Sequence, residues 1–184
     1  EAYEPWMRVR TNCPDINLAV YSYGERILKD LIENGTPEEQ NSAKADLVKL
    51  YDEWVQYFPK RRNKSTVGDV ISKKAQAMLD YELSDLKTIY TTFDEAYTKD
   101  VTSFTNPKLL YNYFKTLYDR YKEGDQEVSM ELLFNKYEEV SEKFEIEGTE
   151  LAKKLDIILK KDESGSARSS SEMGNNRIYD VNSS

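Results

Sequence analysis

Apolar residues recur along most of this chain at steps of three and four, the spacing that lines up one face of a helix. Ile16, Val20, Tyr23, Ile27 and Leu31 make the first such stripe, with Asp15 placed as its cap and Asn34-Gly35 as a left-handed stop. Thr36, Pro37 and Glu39 then form a T-x-x-E start with proline at the first helical position. Ala43, Leu47, Leu50, Tyr51, Trp54 and Phe58 continue as a second stripe, which Pro59 closes. Val67, Ile71, Ala75 and Met78 mark a third helix. Leu86, Ile89, Tyr90, Phe93 and Tyr97 mark a fourth, with Ser84 as its cap. Asn106-Pro107 starts a fifth that is apolar on two sides: Leu110, Tyr113, Leu117 and Tyr121 on one, Tyr111, Phe114 and Tyr118 on the other. Gly124 stops it. Leu133, Tyr137, Val140 and Phe144 define a sixth, and Leu151, Leu155 and Ile158 a shorter last one.

Ahead of these, EAYEPWMRVRTNCP reads as a helix tail ended by Cys13-Pro14. The start without an initiator Met reads as a processed or truncated end. No run alternates apolar and polar residues, so no strand is expected. Lys60 to Ser65, KRRNKS, is a basic loop: either an anion site or a solvated turn.

Pro14 and Pro59, then Phe58 and Phe104, delimit intervals of about 45 residues that each hold two helices, the spacing of a helical solenoid. The expected fold is all-α, an α-α superhelix of antiparallel hairpins. A repeat domain covers 1–161, with hairpins at about 15–59, 65–100 and 106–146 and an extra helix at 149–160. Residues 162–184 change character. They are rich in Ser, Gly and Asn and read as a flexible linker or tail, with apolar character returning at Arg177 to Val181.

Charge narrows the function. Across 184 residues there are 26 basic and 34 acidic side chains, a formal net charge of −8. That balance argues against a duplex nucleic-acid partner. No apolar run approaches the ~20 residues of a membrane span. Histidine is absent, and Cys13 is the single cysteine, so no intrachain disulfide forms. The usual general base and the commonest metal ligand are missing. Adjacent acids such as Glu38-Glu39, Asp52-Glu53 and Glu138-Glu139 diverge around a helix and cannot face each other across a bond. No catalytic, cofactor or metal residue is expected.

The 14 tyrosines remain. They fit half-buried helix seams, or a groove that binds a partner. If the first helix of each pair lines such a groove, Tyr21, Glu25 and Lys29 project into it from one pair, and Tyr111, Lys115 and Tyr118 from another.

The opening AYEPW, the Cys-Pro end, the stretch YSYGERILKDLI and the L-x-x-L-Y-D-x-x-x-x-Y-F-P helix, in this order of hairpins, resemble the tetratricopeptide-repeat-like exported proteins of Gram-negative bacteria. The resemblance spans most of residues 1–160. Gly24 fits the small position of the first full repeat and Ala75 that of the second, whereas the bulky Phe114 or Tyr113 occupies it in the third, a departure from the family's pattern. The repeat here is longer than the ordinary 34 residues. The resemblance implies a non-catalytic scaffold, periplasmic or outer-membrane-associated, that binds a protein or peptide partner. A structural subunit of a larger envelope assembly is one alternative, and an atypical carbohydrate-active enzyme is another.

Overall fold

The computed structural model describes residues 2–150 and residue 153. The chain is mostly helical: α1 (Tyr3–Asn12), α2 (Ala19–Asn34), α3 (Pro37–Tyr57), α4 (Val67–Asp80), α5 (Leu86–Asp100) and α6 (Pro107–Lys122). A two-stranded hairpin, β1 (Lys60–Arg61) and β2 (Lys64–Ser65), lies between α3 and α4. The chain divides into two compact units, Glu1–Ser141 and Glu142–Ser184. Residues 130–141, here α7, are helical in the first unit, and residues 142–150 are helical in the second. The boundary expected from the sequence, at 161/162, lies outside the described residues. Val140 is the last buried residue among those described, and Phe144 and Ile146 are exposed, so the stripe expected to run through Phe144 stops short. Nearly all of the expected helix at 149–160, and the whole tail 162–184, lie outside the described residues.

Within the first unit, helices pack mainly on their chain neighbours: α1 on α2, α2 on α3, α3 on α4, α4 on α5 and α5 on α6, with α4 also touching α6. One core lies among α1–α3 and takes in Val70 and Ala77 of α4. A second lies among α4–α6 and takes in Phe104 and Val140. Val55 packs against both.

Local chemistry accounts for most boundaries. The Thr36 hydroxyl accepts from the Glu39 N–H at 3.4 Å, and the Glu39 carboxylate accepts from the Thr36 N–H at 2.8 Å, completing the expected capping box. Asn106 caps α6 through the N–H groups of Lys108 and Leu109. Three expected ends move. The α2 cap position is Leu18, which supplies no side-chain cap; the Asn17 side-chain oxygen just before it accepts from the Ala19 N–H at 2.8 Å, and Asp15 lies too far upstream. The α5 cap is Asp85, which accepts from the Thr88 N–H at 2.8 Å, where Ser84 was expected. Gly35 is extended, with φ −77° and ψ 172°, and is not a left-handed stop. Its lack of a side chain matters for space, because a Cβ there would stand 2.5 Å from the Leu31 carbonyl.

The basic run is a hairpin, against the expectation of no strand. Lys60 pairs with Ser65 and Arg61 with Lys64. Arg62 and Asn63 take φ of 50° and 64°, the two left-handed residues of the tightest hairpin loop. Strands of two residues are too short to show alternation, so periodicity could not reveal them.

Two close approaches set helix positions. The Trp6 ring lies on Gly24, where a Cβ would come within 2.4 Å of the indole, and the Trp6 N–H donates to the Val20 carbonyl at 2.7 Å. Arg10, one turn on, is buried over the Trp6 ring and bonds Asp46 and Glu53 of α3 at 2.7 Å each. At the other approach, the Gly68 backbone meets the end of α5. Its N–H donates to the Asp100 carboxylate at 3.3 Å, and the Asp69 N–H donates to the Ser103 hydroxyl at 3.1 Å.

Burial pushes the Asp100 carboxyl up, but bonds from the Ser103, Ser65 and Thr102 hydroxyls and the Gly68 N–H outweigh it. The group is held well below the usual carboxylate range. A depressed folded-state pKa contributes stability that is present above the unfolded value, near 4, and is lost as pH falls through the folded one. The expected result is an acid-side decline in unfolding free energy that is shallower in Asp100→Asn than in the wild type. Urea titrations from neutral pH down through the carboxylate range check this, and parallel curves would remove Asp100 from the account.

The second core holds a charged pin. The Tyr113 hydroxyl donates to Asp94, and Lys136 of α7 bonds Asp94 at 3.2 Å and Glu139 at 2.6 Å. The Lys136 ammonium sits 5.1 Å from the Tyr113 ring centroid and 5.7 Å from that of Tyr97. Burial first, then Asp94, pushes the Tyr113 phenol far above its usual range, so it stays a donor. Beyond α6, Gly124 takes φ +81°, and Arg120 reaches Asp125 at 2.7 Å and Glu127 at 3.2 Å to fix the turn.

Candidate functional site

The burial of α2 decides where a binding surface can be. The expected inward stripe moves by one place: Tyr21, Gly24, Leu28 and Ile32 are buried beside Val20, while Ile16 and Tyr23 are exposed. Trp6 seated on Gly24 fixes this rotation. Tyr21 therefore does not face a groove. It is 0% exposed, ringed by Trp54, Tyr57 and Phe58, with its hydroxyl donated to the Pro14 carbonyl at 3.0 Å.

The same rotation turns Ala19, Ser22, Tyr23 and Arg26 toward a cleft of about 510 Å³. Its other wall is Asp69, Val70 and Lys73 of α4. Trp54 of α3 borders it, and Arg61 of the hairpin and Thr66 reach it. Both walls pack on α3, which holds them as two sides of one opening. Tyr23 is 60% exposed, and the Arg26 guanidinium lies 5.7 Å from its ring centroid. Lys73 bonds Asp69 at 2.7 Å and lies 5.6 Å from the Trp54 ring centroid.

Glu25 lines the cleft too, yet its carboxylate is engaged: the Tyr51 hydroxyl donates to it at 2.9 Å and Lys29 pairs with it at 2.7 Å. Burial first, then Glu25, holds the Tyr51 phenol far above its usual range, so this donor is permanent. Lys29 is thereby tied to its own helix. Both carboxylates in the cleft are thus occupied, while Arg26 and Arg61 make no ion pair among the described residues. The arrangement offers free guanidinium donors and an exposed aromatic ring. It suits recognition of an anionic, partly apolar ligand.

Tyr111, Lys115 and Tyr118 lie on the outward side of α6, opposite buried Tyr113. Tyr111 is 58% exposed, Lys115 pairs with Asp119, and the Tyr118 ring lies 5.8 Å from the Lys122 ammonium. None of the three lines the α2–α4 cleft, so the two expected trios do not share a cavity. Sequence reasoning missed Tyr23, Arg26, Arg61 and Lys73 as a group. The one available signal was the basic run at Lys60–Lys64.

Among the described residues no group of three or more His, Cys, Asp and Glu is placed to hold a metal ion. No described helix is long and apolar enough to cross a membrane. Compared with protein-family models, curated proteins and solved structures, the chain matches none of them.

Proposed function

We propose that this protein is a non-catalytic helical-repeat scaffold whose helix pairs stack as a tetratricopeptide-like superhelix and bind a protein or peptide partner in the bacterial cell envelope. The observations that carry the reading are the chain-order packing of α1 to α6 and an open cleft between the first helices of two successive pairs, α2 and α4. Stacked helix pairs of this sort present extended surfaces and leave recognition to side chains on them. The envelope location rests on the sequence resemblance alone. A second reading, a structural subunit of a larger envelope assembly, draws on α7, where Phe134 is 61% exposed and Met130 and Tyr137 are exposed beside it.

Site-specific photo-crosslinking in envelope fractions separates the two. A crosslinker at Tyr23 is expected to capture a discrete partner, while one at exposed Lys49 on the outside of α3 captures none. Capture from Phe134 alone would favour the subunit reading. Capture from none of the three positions would remove the scaffold reading.

A further inference from the structure

The cleft between α2 and α4 has a charge opposite to that of the protein around it. The chain carries −8 overall, yet Lys60, Arg61, Arg62 and Lys64 follow one another between Glu53 and Asp69 with no acidic residue among them. The hairpin holds these four in a rigid turn, exposed, with Arg61 at the mouth of the cleft. Inside, Arg26 is preorganised over the Tyr23 ring and Lys73 over Trp54. Cations at least half-buried elsewhere behave differently: Arg10, Arg120 and Lys136 each bond two carboxylates. Around this cleft the Arg26 and Arg61 guanidinium groups stand beside a concavity without an acidic partner among the described residues.

Resting on the scaffold reading, we propose that the α2–α4 cleft docks an extended acidic segment of a partner protein, with Arg26 and Arg61 bonding its carboxylates and Tyr23 packing against an apolar side chain between them. Guanidinium pairs with carboxylate through two parallel bonds, which gives direction as well as attraction. The net charge of −8 repels the remainder of an acidic partner, so a segment that reaches these cations is favoured. Exposed charges are screened by salt, so the contact weakens as ionic strength rises.

Selection from a random peptide display library on the immobilised full chain tests this. The recovered sequences are expected to be enriched in Asp and Glu with an aromatic or aliphatic residue between them. A fluorescent peptide of the recovered sequence is then titrated by anisotropy. Its affinity is expected to fall about tenfold or more in R26E/R61E, to fall with added salt, and to stay unchanged in Y111A/Y118A on α6. Arg26 and Arg61 are exposed and make no ion pair among the described residues, so thermal melting of the double variant serves as the folding control. Recovered sequences without acidic enrichment, or acidic ones that bind R26E/R61E equally well, would overturn the proposal while leaving a peptide-binding scaffold in place. A selection that recovers nothing overturns the acidic-peptide proposal and, joined with an empty crosslinking result, the scaffold reading as well. Preferential binding of an anionic oligosaccharide over the acidic peptide also overturns it.

Discussion

Tyr113→Ala is expected to lower the unfolding free energy by about 4 kcal/mol, the cost of emptying an aromatic site in a packed core. Tyr113 is 0% exposed and touches the rings of Tyr90, Phe93, Tyr97 and Phe104. Truncation leaves a cavity at the junction of α5 and α6, and removes the ring over which the Lys136 ammonium sits. Tyr113→Phe separates packing from polarity. It keeps the ring and loses only the bond to Asp94, which still has Lys136 as partner. A loss of about 1 kcal/mol is expected for that variant. Urea unfolding of both variants, with slope and midpoint fitted together, measures the difference. Equal losses would mean that the hydrogen bond, and not the ring, holds this core.

Gly68→Ala is expected to destabilise by about 3 kcal/mol, reversing the usual rule. In an open helix interior alanine is favoured over glycine by about 1 kcal/mol. At Gly68 a Cβ would stand 2.1 Å from the Asp100 carbonyl oxygen and 2.9 Å from the Ser103 hydroxyl. The first neighbour is backbone and cannot swing aside, so α4 must move off the end of α5. That movement also lengthens the bonds from the Gly68 and Asp69 N–H groups. Stability equal to or above the wild type would show that the two helices slide freely here.

The chain announces its helices because their stripes repeat over several turns, and its best starts because capping chemistry is local. Thr36, Pro37 and Glu39 needed only one another, and the structure has them as read. The misreading of the α2 face comes from contact between parts distant in sequence. Ile16, Val20, Tyr23, Ile27 and Leu31 look like the inner face of α2 when that helix is considered alone. The Trp6 indole, from another helix, needs the bare backbone at Gly24 and turns the face by one residue. That single rotation buries Tyr21, expected in the groove, and exposes Tyr23, expected in the core. On α6 no such intrusion occurs, and the division between buried Leu110, Tyr113 and Leu117 and exposed Tyr111 and Tyr118 follows the period directly. The cleft cations were unreadable as a set because they come from α2, the hairpin and α4.

The sequential partnering of helices in the first unit bears on how the chain gets there. Most joins link segments adjacent along the polypeptide, so little loop entropy is lost before each new contact forms. Topologies of such low contact order assemble within about milliseconds. A nascent chain leaving the ribosome can close α2 on α3 before α5 exists, and can add later helices onto a surface already in place.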